Sequence, residues 1–136
     1  MAEQNCFSVL KAADLKESTE QDQWRIKSLW GRSSVGFIGG APKCCKSWLG
    51  LDMALSVASG TQCLGAFQVE SPGPALIFLA EDSLAMVKNR ISSLCVSRRL
   101  NIQDQDIHVI SEPCIRLDKE RDQERLWHTV EQLRQI

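Results

Sequence analysis

Apolar positions along the chain change their period several times, and each change predicts an element. From Ser34 the run S-V-G-F-I-G-G is short, β-branched and aromatic and ends in two glycines, the pattern of a buried strand feeding a tight turn. From Lys46 to Ser59 the spacing turns helical. Leu51, Leu55 and Ala58 fall on one stripe, Leu49, Met53 and Val57 on a neighbouring one, and Gly60 stands where a C′ residue belongs. S-P-G-P from Ser71 marks a turn, and the continuous apolar run from Ala75 to Ala80 predicts a strand covered on both faces, ending on Glu81 and Asp82. Leu84, Val87, Ile91 and Leu94 step by three and four, which predicts a helix capped by Asp82 or Ser83, with Arg98 and Arg99 near its negative end. I-H-V-I (Ile107 to Ile110) predicts a third strand, and Leu126, Val130 and Leu133 a helix after Asp118.

The order strand, helix, strand, helix, strand, helix predicts an α/β fold, a parallel sheet with right-handed crossovers and helices on its faces. Residues 1–23 are polar, with Phe7, Val9, Leu10 and Leu15 scattered among charges, and predict one short helix in a loosely docked lead-in. A chain of 136 residues has room for one domain, placed at 30–136 behind a lead-in at 1–29.

Composition narrows the class. With 43% apolar and 24% charged residues, the chain is neither disordered nor fibrous. Its longest apolar run is the one from Ala75 to Ala80, far below the roughly 20 residues of a membrane helix, so no membrane association is expected. The amino terminus carries no basic region followed by an apolar stretch, and a cytoplasmic location is expected. The six cysteines include one close pair, the adjacent Cys44 and Cys45. Neither His108 nor His128 has a cysteine at zinc-site spacing, so free thiols are expected and a metal site built from these residues is not. A net charge of −1 offers no global attraction to nucleic acid. Charge is nevertheless uneven: residues 24–60 carry five Lys/Arg against one acid, and residues 84–100 carry four bases and no acid.

The first basic stretch contains G-A-P-K-C-C-K-S, Gly40 to Ser47. It meets the phosphate-loop pattern G-x-x-x-x-G-K-[S/T], set between a strand and a helix, at every fixed position except one, where Cys45 replaces the second glycine. Inward-pointing amides opening onto a helix N-terminus make an anion cradle. The candidate nucleotide-binding set is Gly40, Ala41, Pro42, Lys43, Cys44, Cys45, Lys46, Ser47 and Trp48. Within it, Lys46 would reach the β- and γ-phosphates of ATP and the Ser47 hydroxyl would bind Mg²⁺. If Cys45 takes a positive φ, the strain is about 1–2 kcal/mol, which a fold tolerates. The competing reading is an ordinary strand-to-helix turn that exposes two lysines. Glu81, ending a strand beside this loop, is the candidate for orienting a water. It competes with two other readings, in which Glu81 and Asp82 cap the next helix or the strand is the Mg²⁺-holding one. Cys44 and Cys45 lie between two lysines at a helix start, so alkylating them is expected to block nucleotide binding. The irregular spacing of Trp24, Trp30, Trp48 and Trp127 predicts individual packing rather than a base-stacking set, and His108 reads as a core or edge side chain.

From about Trp30 onward, G-G-A-P-K-C-C-K-S-W-L-G-L-D-M-A-L-S-V-A-S-G, C-L-G-A-F-Q-V, P-G-P-A-L-I-F-L-A-E-D-S and K-N-R-I resemble the AAA-family ATPases of RecA-like fold grouped with the replicative helicase RepA. That resemblance implies a RecA-like core in which Glu81 is the catalytic carboxylate and Lys46 acts beside it. ATP and Mg²⁺ are the implied cofactors. In the full-length form it implies a homo-oligomer, a hexameric ring, acting on DNA. It also implies that these residues correspond to the amino-terminal half of the core, because the family's Mg²⁺-binding aspartate, DNA-facing loops and arginine finger lie in later segments. The alternative is a non-catalytic α/β module that associates with itself or another chain through an open sheet edge.

Overall fold

The computed structural model describes residues 9–15 and 23–134. Strands β1 (Trp24–Ile26) and β2 (Trp30–Gly31) form a short antiparallel hairpin. Helix α1 (Lys46–Ser59), strand β3 (Ala75–Ile77), helix α2 (Leu84–Ser97), strand β4 (Ile107–Val109) and helix α3 (Glu120–Arg134) follow in that order. β3 and β4 pair in parallel, with Ala75 opposite Ile107, Leu76 opposite His108 and Ile77 opposite Val109. The described residues are thus α/β, with a small parallel sheet and three α-helices, compatible with part of a RecA-like core.

The two stripes of α1 serve two separate cores. Leu51 and Leu55 pack with Val87, Ile91 and Cys95 of α2, closed over by Ile77, Leu79, Ile107 and Val109 from the sheet side. Met53 and Val57 turn instead toward Ile26, Cys63 and Val69, where Leu29, Trp30 and Phe67 complete a second cluster. A helix apolar on two faces lies between two layers rather than at the surface. Gly60 closes it with φ 72°, its amide bonded to the Ser56 carbonyl, as the C′ position requires.

Several expectations need correction. Ser34 to Gly40 belongs to no strand or helix, and Val35 and Phe37 are 94% and 98% exposed rather than buried. Its apolar composition suits a strand, but a strand forms only against a partner's backbone, and none lies alongside among the described residues. Among the described residues the parallel sheet therefore has two strands where three were predicted. The paired part of the Ala75–Ala80 run is only Ala75–Ile77, half-buried because open cavities lie between it and Leu126, Thr129, Val130 and Leu133 of α3. A cavity of about 720 Å³ separates the other edge of β3 from Gly36 and Ile38. Of the lead-in, residues 9–15 carry a 3-10 turn at Ala12–Asp14; the short helix expected within 1–23, with Phe7, falls mostly outside the described residues. The β1–β2 hairpin was not anticipated. Its signal is the period-two pair Trp24 and Ile26, and Ile26 is buried in the second core.

Candidate functional site

The loop before α1 is shaped by two left-handed residues, Lys43 (φ 64°) and Cys45 (φ 63°, ψ 23°). Cys45 is the N-cap, and no side chain caps the helix there. The first amides of α1, those of Lys46, Ser47 and Trp48, thus have no helical acceptor and remain open to an anion. Lys46 folds back over the loop, its Nζ donating to the carbonyls of Gly40 (3.0 Å) and Ala41 (2.8 Å) and lying 3.7 Å from Cys44 Sγ. A Cβ at Gly40 would lie 2.5 Å from that sulfur, so a side chain here would turn the exposed Cys44 thiol aside.

The strain expected of Cys45 is therefore present. A left-handed non-glycine residue costs about 1–2 kcal/mol, whereas glycine adds roughly 0.5–1 kcal/mol of unfolded-state entropy. The first effect is larger, so Cys45→Gly is expected to stabilise the fold by about 0.5–1 kcal/mol. A raised urea midpoint at unchanged slope is the measurement that checks it.

Residues Pro42 to Trp48 form one wall of a cavity of about 640 Å³, and Glu81, Asp82 and Arg90 form the other. The loop and the end of the β3 segment, distant in sequence, thus face one space. Glu81 is exposed there. Asp82 does not cap α2. That role falls to Ser83, whose Oγ accepts from the Met86 amide at 3.3 Å. Asp82 Oδ2 instead accepts from Arg90 Nη1 at 2.5 Å, and the Arg90 guanidinium lies 5.7 Å from the centroid of the Trp48 ring. Asp82 is thereby engaged and Glu81 is left as the uncommitted carboxylate of the cavity.

Arg98 is the second correction. It occupies the C-cap of α2, but its guanidinium runs into the interior, bonding Asp52, Ser56 Oγ (2.8 Å) and Thr61 Oγ1 (2.8 Å). Asp52 also accepts from the Leu64 amide at 2.8 Å and from Cys63 Sγ at 3.4 Å. Neither Arg90 nor this network was identified from sequence. The available signals were an acid, Asp52, between two apolar stripes and the basic bias of residues 84–100.

The described thiols are free. Burial, followed by the bond to Asp52 and its charge, pushes Cys63 up to about 11, and burial also raises Cys95. Alkylating reagents are therefore directed to the exposed Cys44, Cys45 and Cys114. The tryptophans do not form a set: Trp30 packs on Gly36, Trp48 meets Arg90, and Trp127 is exposed on α3. His108 lies on β4 with Nε2 2.6 Å from Asp106 Oδ1, an edge position. No three His, Cys, Asp or Glu side chains gather into a metal site among the described residues. A divalent ion in the cavity would rest on the Ser47 hydroxyl and on oxygens brought by a ligand, the hard-donor set that Mg²⁺ takes. Among the described residues no helix is long and apolar enough to cross a membrane.

No curated protein and no solved structure matches the chain. A family model described as an AAA domain, however, matches residues 2–136, a span that takes in the loop, α1, the segment after β3 with Glu81 and both cavity walls. On that match the chain belongs to the AAA-domain family of P-loop ATPases.

Proposed function

We propose that the chain binds ATP with Mg²⁺ through Gly40–Ser47 and is the nucleotide-binding part of a RecA/RepA-like ATPase engaged in DNA replication or another DNA transaction. The observation that carries this reading is the left-handed turn at Cys45, which opens the uncapped start of α1 into a cavity with Glu81 on its far wall. The helix-start amides and Lys46 hold the phosphates, Lys46 exchanging the Gly40 and Ala41 carbonyls for phosphate oxygens. Magnesium, held by Ser47 and those oxygens, supplies further neutralisation of charge. In the complete protein Glu81 orients the water to which the γ-phosphoryl group passes. Assembly into a homo-oligomeric ring and contact with DNA belong to that complete protein.

Calorimetry with Mg²⁺ and a non-hydrolysable ATP analogue tests the reading. Saturable heat is expected, and its absence from a folded sample removes the proposal.

A second reading has its own support. The edge of β3 facing Gly36 and Ile38 is unpaired among the described residues, so a strand from another chain would find backbone partners along it. Self-association in the same samples that rises with concentration and ignores nucleotide favours this module.

A further inference from the structure

We propose that Cys44 is a modification site of the loop, where a small disulfide carrying carboxylates exchanges with the thiol and the mixed disulfide so formed closes the cavity to nucleotide. The closing rests on the nucleotide-binding reading above; the exchange itself does not.

Among the described residues three thiols are exposed, Cys44, Cys45 and Cys114, while Cys63 and Cys95 are buried. Surroundings separate Cys44 from the other two. Its Sγ lies 3.7 Å from the Lys46 ammonium, so negative charge gathering on the sulfur during attack meets a cation already in place. Gly40 offers no side chain at that point, where a Cβ would stand 2.5 Å from the sulfur. The missing side chain is what lets the thiol rest over the loop beside Lys46. Cys45 lines the same cavity, but its thiol makes no capping bond and has no such ammonium contact. Cys114 lies between β4 and α3 and is not part of the cavity wall.

The cavity also selects the reagent. Its loop wall carries Lys43 and Lys46 and no acid, while on the far wall Asp82 is engaged by Arg90. Carboxylates on an incoming disulfide are therefore drawn toward the side on which Cys44 lies. A volume of about 640 Å³ is within the range that holds a small organic molecule. In the exchange, the Cys44 sulfur gives up its proton and attacks one sulfur of the disulfide. A new S–S bond forms, the old one breaks, and the departing half takes up a proton as a free thiol. Cys44 is oxidised and the released half is reduced, with the disulfide as the oxidant. The adduct then fills the space onto which the first amides of α1 open, and excess thiol removes it.

The test exposes the unmodified chain to oxidised glutathione, an anionic disulfide, and to cystamine, a cationic one, and follows each site by peptide mass mapping. The ratio of the Cys44 rate to the Cys114 rate is expected to be about fivefold or more higher with oxidised glutathione, the scale of one nearby unit charge in water. High salt narrows the difference. Equal ratios with the two reagents, or a Cys44 rate no greater than that of Cys45, overturn the proposal. Gly40→Ala is expected to lose most of the preference for Cys44 while Cys114 reacts as before. A preference kept in full by that variant overturns the geometry argued here, and labelling of Cys63 and Cys95 reports any unfolding. Saturating AMP-PNP, a non-hydrolysable ATP analogue, is expected to slow the reaction of Cys44 and not that of Cys114. Chain fully converted at Cys44 is expected to lose its AMP-PNP heat and to regain it after dithiothreitol. Unchanged AMP-PNP affinity in the converted chain overturns the closing. If the unmodified chain binds no AMP-PNP, the nucleotide-binding reading falls, and the exchange rates still decide the site.

Discussion

Lys46→Ala is expected to weaken Mg²⁺–ATP binding by about 100-fold or more, the largest functional effect of any single change in the loop. The Lys46 ammonium already sits over the loop, bonded to the carbonyls of Gly40 and Ala41, so little motion separates its resting place from a bound phosphate. Each charge-assisted hydrogen bond to phosphate contributes about 1.5–3 kcal/mol, and two such bonds, less the two carbonyl bonds surrendered, leave roughly the stated factor. The fold is expected to survive. Gly40 and Ala41 are exposed, their carbonyls turn to water when the ammonium is removed, and the cost in stability stays under about 1 kcal/mol. Isothermal calorimetry together with a urea titration separates the two effects. Binding left intact in Lys46→Ala removes the loop from the site.

Asp52→Ala and Arg98→Ala are each expected to destabilise the chain by about 3–5 kcal/mol, because either leaves a buried partner charge uncompensated. The pair is mostly shielded from water and is the hub of a wider set of bonds. Asp52 holds the Leu64 amide and the Cys63 thiol, while Arg98 holds Ser56 and Thr61. Together they pin the loop after α1 and the end of α2 to one helix, and small domains have only about 5–15 kcal/mol of stability in all. In a double-mutant cycle, Asp52→Ala/Arg98→Ala is expected to cost clearly less than the sum of the single changes. Strict additivity, or single losses below about 1 kcal/mol, would show that the bonds carry no such weight.

The parts of this fold legible in the sequence are those where local chemistry and burial agree. The stripes of α1 and its Gly60 stop, the three-and-four steps of α2 after Ser83, and the parallel partner at Ile107 all appear as read, since each rests on side-chain period or a cap within one segment. The run from Ser34 failed for a complementary reason. Val35 and Phe37 have the composition of a buried strand, but burial and a hydrogen-bonded ladder are supplied by neighbours, which no local pattern encodes. Arg98 failed similarly: helix-end electrostatics are a local rule, and a guanidinium long enough to reach Asp52 on another helix escapes it.

At the candidate site the division is sharper. The sequence alone determined the phosphate-loop pattern, the lysine and serine that open the helix, the misfit of Cys45 and the acid ending the next apolar run, because each is a matter of residue type and spacing within one segment. Only the tertiary structure decided that Glu81 and not Asp82 is left uncommitted, that Arg90 enters the same cavity, and that Trp48 lies beneath it. These depend on how α2 docks against α1. That docking is set by the packing of Leu51 and Leu55 on Val87, Ile91 and Cys95, a sum of contacts between segments that neither segment specifies by itself.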